Sequence, residues 1–534
     1  MYVLHQLLSE SASNYPDKEA IIYRNDVMTY AQLDRESNAM AHFLLETGVE
    51  RGERIGIYMD RSIPSIVSVF GILKSGATYV PIDPACPPNR FQYITGSCGM
   101  KYILCTKEKM TNLERLVSKE SSIKNILVVN GLEKGFSMPG SVKLIDWQVI
   151  RETSRSDAPG VGMTDRDLAY ILFTSGSTGI PKGVMISHLN SLTFINAAYD
   201  VFRLTMNDRI SNICPLHFDM SVFDLFVAMK AGSTMVIIPE TVTMFPMKLA
   251  EVIAKNRITV WNSVPSALSL LATCNNLGDH DFSSLRLILF AGEVFPLKYL
   301  RILKEAIPAA RFCNMYGQTE ANSSTYYWVD DLPEDSRDPL PIGRALPNFD
   351  VFALDEEGKH VTEAGQEGEL YVRASTVALG YMGDPERTEK SFVNNPLKQD
   401  MDERVYKTGD LVRLGGDGNY VFLGRKDHMI KCRGFRIEIG EIETVLCNHP
   451  EIKNAVVIPI PDELIGNRIS AIVTSLKPNT ISREDILHFC SQQLPRYMIP
   501  DSIEFRDNLP ITSSGKVDRK KLSDQDEIAS CAIN

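Results

Sequence analysis

The sequence predicts an α/β architecture followed by a small α+β unit, and three observations carry that reading. Apolar strand-like runs alternate with helix-like runs over the first ~420 residues, as in chains built on largely parallel sheets. The cluster Gly415, Gly416, Asp417, Gly418 and Asn419 then marks a tight hairpin turn. Beyond Lys426 the strands shorten, and two helical stretches remain, Glu438–Cys447 and Ser482–Gln493. At 534 residues the chain is too long for one core, which implies roughly two to four folding units.

In chain order, strands are expected at Arg54–Tyr58, Tyr102–Leu104, Thr234–Ile238 and Arg286–Phe290. Helices are expected over Ile63–Lys74 and Pro296–Glu305, with Pro296 in the first turn, where a missing N–H costs nothing. The pattern places a hinge at Lys426–His428 and two domains, residues 1–425 and 426–534. There is no internal repeat and no low-complexity tract. The polar end, Ser523–Asn534, is expected to fray.

Bulk composition excludes several classes. Apolar residues make up 44% and charged residues 23%, ordinary for a globular enzyme. Acidic residues outnumber basic ones by 67 to 56, and a net charge of -11 argues against nucleic-acid binding. The ten cysteines form no C-x-x-C pair, so neither a zinc ribbon nor a redox motif is indicated. The N-terminus lacks the basic start and apolar core of a signal peptide, and no run reaches the ~18 apolar residues of a membrane span. A cytoplasmic protein with reduced thiols, and no membrane partner, is the expectation.

The most informative stretch runs from Tyr170 to His188. An apolar strand opens into a loop carrying Thr174, Ser175, Gly176, Ser177, Thr178, Gly179 and Lys182, then closes on a second strand. Glycines let backbone N–H groups approach oxygens, hydroxyls add donors and the lysine adds charge, so the loop suits a polyphosphate. It is not a Walker A loop, because Lys182 leads into Val184–Ile186, which is β-rich, and not into a helix. The bland alternative is a surface turn, which seldom combines four hydroxyls, three glycines and a lysine.

Five further stretches follow in order: Leu289–Glu293, Asn314–Glu320, Tyr406–Asp410, Gly424–Gly434 and Pro510–Lys516. Together with the loop they resemble the adenylate-forming superfamily, and within it the amino-acid adenylation enzymes of nonribosomal peptide synthesis. The resemblance runs from about residue 10 to residue 522 and extends to stand-alone enzymes that load L-proline onto carrier proteins. It implies a large N-terminal domain of two sheets plus a distorted barrel, and a small mobile α+β C-terminal domain.

It also implies ATP and Mg²⁺ as cofactors and assigns roles residue by residue. Glu320 would hold Mg²⁺, a hard cation suited to carboxylate oxygen. Thr319 would lie near the α-phosphate. Thr174, Ser175, Gly176, Ser177, Thr178, Gly179 and Lys182 would cradle the β- and γ-phosphates. Gly292 and Glu293 would lie along the adenine, with Asn314, Gly317 and Phe422 nearby and Tyr316 stacking on it. Asp410 would accept both ribose hydroxyls, and Arg425 would contact ribose or phosphate. Lys516 is implied as the adenylation lysine, bridging the attacking carboxylate and the α-phosphate. Gln318 stands where this motif commonly has proline. Taken singly, Asp410 could be a turn acid, Glu320 a helix-start acid and Tyr316 a core residue; their shared order decides.

An adenylate must be passed on, and the resemblance implies transfer to a phosphopantetheine thiol after the C-terminal domain rotates. Asp427 matches the hinge, and Gly434 would line the pantetheine tunnel. No carrier domain is recognisable, so a separate carrier protein is the expected partner. For the acyl group, Asp219 would pair with an α-ammonium, and His217 matches a gate beside the substrate. Asp219, Met220, Phe223, Asn262, Leu289, Ala291, Met315, Ser323, Ser324 and Lys516 align with the specificity positions. Apart from Asp219 and Lys516 that lining is uncharged, so a small neutral amino acid is expected, L-proline first and alanine or serine next. The competing reading is a carboxylate–CoA ligase on the same fold.

Overall fold

The computed structural model describes residues 2–133, 135–151, 155–176, 179–274, 277–332, 339–398, 400–426, 429–476, 481–506, 508–510, 519 and 522. Ser177, Thr178, Asp427 and Lys516 lie outside them.

Two large sheets dominate. In one, the strands Arg54–Tyr58, Thr78–Pro81, Tyr102–Cys105, Asn125–Val128, Lys143–Asp146 and Leu168–Thr174 run parallel. The antiparallel strand Lys182–Ser187 extends that sheet, Thr174 pairing with Lys182. The phosphate-type loop is therefore the turn between two paired strands. In the other sheet Arg209–Asn212, Thr234–Ile237, Val260–Ser263, Leu287–Ala291 and Arg311–Gln318 are parallel, and Asn322–Trp328 returns antiparallel. Strands buried on both faces read as near-continuous apolar runs, which is why they were legible.

Helices Tyr30–Glu46, Ile63–Lys74 and His188–Phe202 join both sheets in one core. Ile63–Lys74 is fixed at its start by Ser62, whose hydroxyl accepts from Ser65 N–H in a reciprocal capping box, with Pro64 in the first turn. Its Phe70 meets Phe226 edge-on at 5.8 Å, tying the middle helix layer to the segment behind Asp219. That segment, Phe223–Val227, forms a π-helical turn.

Five antiparallel strands, Phe349–Leu354, Glu367–Ala374, Phe392–Asn394, Arg404–Leu414 and Tyr420–Arg425, form a third sheet. Asp410 pairs with Arg425 across its terminal hairpin. A two-stranded hairpin follows, Met429–Cys432 with Phe435–Glu438, then helix Ile439–Cys447 and a three-stranded sheet backed by helix Arg483–Gln493. This last unit has its own core around Ile437, Ile442, Val457 and Ile486.

Several boundaries differ from the sequence reading. The stretch Asn314–Glu320 begins inside the strand Arg311–Gln318, which Asn322–Trp328 pairs along. Tyr406–Asp410 lies inside the strand Arg404–Leu414 rather than ahead of the hairpin. Pro296 and Ser482 cap their helices from outside, the helices starting at Leu297 and Arg483. No described helix is long and apolar enough to cross a membrane.

Candidate active site

Strand ends and loops from all these parts meet in one cavity of about 100 Å³. The N-terminal sheets contribute Thr174, Ser175, His217, Asp219, Met220, Ala291 and Gly292. Gly317 and Ser323 face each other at the ends of the paired strands Arg311–Gln318 and Asn322–Trp328, and Thr319 lies in the turn between them. Asp410 and Arg425 close one side, and Lys431, Gly434 and Arg436 of the C-terminal hairpin close the other.

At the phosphate end, Glu320 is fully buried. It accepts from Arg436 at 2.9 and 3.2 Å and from the Tyr381 hydroxyl at 2.9 Å. Burial alone would raise its pKa, but Arg436 and then Lys182 outweigh that and hold the carboxyl down at about 2. Lys182 Nζ lies 3.9 Å from Glu320 and 3.6 Å from Glu438. Burial, then the neighbouring Arg436, lowers the Lys182 pKa to about 8. The loop itself is held by the C-terminal unit. Ser175 Oγ donates to the Arg436 carbonyl at 2.7 Å, and Gly176 N–H donates to Glu441 at 3.3 Å. Thr174 Oγ1 is buried and has no hydrogen-bond partner among the described residues. An ionised buried carboxylate, a buried lysine and that hydroxyl fit a Mg²⁺–polyphosphate group.

On the nucleoside side, Asp410 accepts from the Tyr316 hydroxyl, Gln318 Nε2 and Arg425. Gln318, the departure from the usual proline, thus finds a role: it ties the strand end to Asp410 and to Tyr316. Tyr316 is buried and tilts against Phe422 at 6.5 Å. Glu293 does not face open space. It accepts from Gly434 N–H and from Ser266 N–H, bracing the C-terminal hairpin against the N-terminal sheet. Burial pushes its pKa up.

At the acyl end, Asp219 accepts from Thr319 Oγ1 at 2.8 Å. No ion pair to Asp219 is present among the described residues, and Lys431 acts on it only at a distance. Burial raises its pKa, the Thr319 hydroxyl offsetting part of the rise. Thr319 is thus joined directly to Asp219. Met220, Ala291 and Ser323 line the cavity with Asp219. Phe223, Leu289, Met315 and Ser324 are buried. Asn262 donates to the buried Asp224 at 2.8 Å. Burial lifts the Asp224 pKa to about 7.

Sequence reasoning missed two functional candidates, Arg436 and Lys431. Both sit in a hairpin that was read for its glycine and hinge, and cations in a short strand carry no local signal of what they face. Gly434, at φ +80°, lies so close to Val264 that a Cβ would come within 2.5 Å of it. Phe435 stacks on Tyr497 at 3.9 Å and meets Phe218 edge-on at 5.0 Å.

Known proteins resemble this chain along its whole length. The family described as AMP-binding enzyme matches residues 8–382, and the AMP-binding enzyme C-terminal domain matches residues 441–516. An L-proline–[L-prolyl-carrier protein] ligase of Pseudomonas fluorescens is 35% identical over 527 residues, covering 99% of this chain and 100% of that protein. Bacitracin synthase 1 of Bacillus licheniformis is 36% identical over 527 residues, 98% of this chain but only 9% of the synthase. The Vibrio cholerae adenylation domain AlmE, solved with glycyl-adenosine-5'-phosphate, shares the fold at a TM-score of 0.84 and 24% identity, over 98% of this chain and 97% of that one.

Proposed function

Since the chain belongs to the AMP-binding enzyme family and is a ligase that uses ATP, we propose that it activates a small neutral amino acid, L-proline first, as an aminoacyl adenylate and transfers it to the phosphopantetheine thiol of a separate carrier protein. The observation that carries this reading is Asp219. Its carboxylate faces the cavity with one hydroxyl donor and no cation in reach among the described residues. A buried carboxylate calls for a charged partner, and the α-ammonium of an amino acid supplies it. Met220, Ala291 and Ser323 line the cavity beside Asp219, and none of them carries a charge to pair with an ionised side chain. Likeness to the proline ligase supports L-proline.

In the first step a carboxylate oxygen attacks the α-phosphorus of ATP. The new O–P bond forms as the bond to the β-phosphate oxygen breaks, and pyrophosphate leaves with the electron pair. Both reactants are anionic, so neutralisation and in-line alignment are the main tasks. Glu320 would hold Mg²⁺, which would neutralise phosphate charge. Lys182, Thr174 and the loop N–H groups would hold the β- and γ-phosphates, Asp410 the ribose, and Lys516 the oxygens in transit. In the second step thiol sulfur attacks the acyl carbon. A C–S bond forms, the C–O bond to AMP breaks, and the thiol proton passes to solvent.

The observed arrangement suits the second step. Arg436 occupies the Glu320 carboxylate, the Arg436 carbonyl holds Ser175, and Glu441 of the following helix holds Gly176. ATP would need these released, so the C-terminal unit must swing away, with residues 426–534 moving about Asp427. Amino-acid-dependent ATP–pyrophosphate exchange, screened over the twenty amino acids, tests the reading. Exchange with proline or another small neutral amino acid is expected. No exchange with any amino acid, together with CoA thioester formation from an aliphatic or aryl acid, overturns it.

A further inference from the structure

The segment that brings Met220 to the cavity also carries an acid for which adenylation has no use. Asp224 is fully buried, and the other residues of its π-helical turn, Phe223 and Leu225–Val227, are buried and apolar. It accepts from Asn262 Nδ2 at 2.8 Å and from Asn212 Nδ2 at 3.3 Å. Those two amides belong to adjacent strands, Val260–Ser263 and Arg209–Asn212. Ile210 lies opposite Val260, so Asn212 lies opposite Asn262, and Asn262 lies opposite Leu289. Alternate residues of a strand share a face, so Asn212, Asn262, Leu289 and Ala291 rise on the same side of the sheet. Ala291 lines the cavity. One carboxyl therefore bridges two strands just short of the cavity lining.

Packing does not call for an acid there. Phe223 meets Phe202 edge-on at 6.0 Å and Phe226 meets Phe70 at 5.8 Å, contacts that already hold the turn against two helices. An apolar side chain of similar volume would fill the Asp224 site without the cost of desolvating a carboxyl. Nor does charge explain it. Asp224 has no ion pair among the described residues, and burial outweighs Asn262, the Cys214 backbone, Asn212 and Arg61, which favour its charged form. What a carboxyl adds is direction. Apolar contacts let a turn slide, whereas hydrogen bonds from two neighbouring strands set its height above the sheet. Turns of this π type recur at functional sites.

We propose that Asp224 is a positioning residue for amino-acid selection: by tying its turn to Asn262 and Asn212 it fixes the gap between Met220 and the sheet face bearing Ala291, and so sets the size of side chain that fits beside Asp219. It touches no substrate and acts through those neighbours. The inference rests on the adenylation reading and deepens it, since the site is tuned for a small side chain against the homologue one methylene longer. The tie needs hydrogen bonds and not a charge. Asn212 Oδ1 is buried with no partner among the described residues. Asp224→Asn can accept from Asn262 and, with the Asn212 amide turned over, donate to that oxygen, keeping both ties.

The test is ATP–pyrophosphate exchange by the full-length enzyme, with L-proline against L-pipecolate and L-alanine against L-2-aminobutyrate. Each pair differs by one methylene, and the unaltered enzyme is expected to prefer the shorter member of the pair it uses by ~10-fold or more. In Asp224→Leu that preference is expected to shrink at least ~5-fold, through a higher KM for the shorter substrate, while KM for ATP stays within about twofold. Binding of a fluorescent nucleotide is the control for folding. Asn212→Leu cuts the tie from the strand side and is expected to shrink the preference in the same direction; should Asp224→Leu lose nucleotide binding, Asn212→Leu alone decides. Asp224→Asn is expected to keep the preference within about twofold of the unaltered enzyme. A preference unchanged in both leucine variants overturns the proposal. So does an equal rise in KM for ATP and for the amino acid, the mark of a merely structural role, and so does a loss in Asp224→Asn as large as in Asp224→Leu. Absence of exchange with any amino acid in the unaltered enzyme overturns the adenylation reading instead.

Discussion

Asp219 and Glu320 are both buried acids, yet their surroundings push them in opposite directions. Asp219 has a hydroxyl and no ion-paired cation among the described residues, and burial raises it; Glu320 has Arg436 and Lys182, which pull it down to about 2. Asp219→Ala is expected to abolish amino-acid activation, lowering exchange by ~100-fold or more while ATP binding, read by a fluorescent nucleotide, survives. Retained exchange with the same amino-acid preference would remove the case for an ammonium partner. Because the Asp219 pKa is raised in the free enzyme, proton binding competes with the ammonium. KM for the amino acid should therefore climb as pH falls, and Asp219→Asn should flatten that slope. For Glu320 the sign is opposite. Its pKa lies below the ordinary 4.5, so the stabilisation is complete above about 4.5 and is lost as pH falls toward about 2. The shift corresponds to roughly 3 kcal/mol. Arg436→Gln is expected to raise the midpoint of acid unfolding; an unmoved midpoint would show that the ion pair contributes nothing net.

At the scale of elements, what decides is which strand end reaches the cavity. The loop between Leu168–Thr174 and Lys182–Ser187 was readable because glycine, hydroxyl and lysine chemistry is local to ten residues. Glu320 and Asp410 were readable only through the order of several motifs. Partners from the N-terminal sheets and the C-terminal hairpin were not readable at all: Ser175 with Arg436, Glu293 with Gly434. No periodicity marks such pairs, because they depend on how finished units dock. The strand through Gln318 was not legible either, since its extension needs a neighbour that the local pattern does not announce. The hairpin Met429–Glu438 supplies its own experiment. Gly434→Val adds a Cβ against Val264 at a positive φ, so the hairpin cannot dock as observed. Exchange is expected to persist and transfer to pantetheine to fall by ~10-fold or more. Equal loss of both steps would mean that the docked hairpin serves the first step too.

The whole molecule is two bodies of side chains meeting over one cavity. Arg90 pairs with Glu441 at 2.9 Å, both nearly buried, and Phe435 is clasped between Phe218 and Tyr497. Removing one partner of a buried pair leaves the other uncompensated, at about 3–5 kcal/mol. Arg90→Ala is therefore expected to favour the undocked arrangement, seen as a larger radius of gyration in small-angle scattering and faster proteolysis between residues 426 and 429. Identical scattering curves for the variant and the unaltered enzyme would show that the aromatic clasp suffices. The fold class and the order of the two bodies were legible from alternation and chain length. Their docking was not, because it rests on a handful of long side chains.

The hairpin that seals the phosphate end bears on the lifetime of the intermediate. A mixed anhydride of a carboxylic and a phosphoric acid is destroyed by water, and an enzyme that parked it in an open cleft would spend ATP to make free amino acid and AMP. With Arg436 on Glu320, and with the Ser175 hydroxyl and the Gly176 N–H both engaged, water would be kept from the proposed adenylate. On that reading the docked C-terminal unit would act as a stopper as well as a participant. Without an acceptor thiol the unaltered enzyme should leak AMP slowly, and any variant that loosens the stopper should leak it faster.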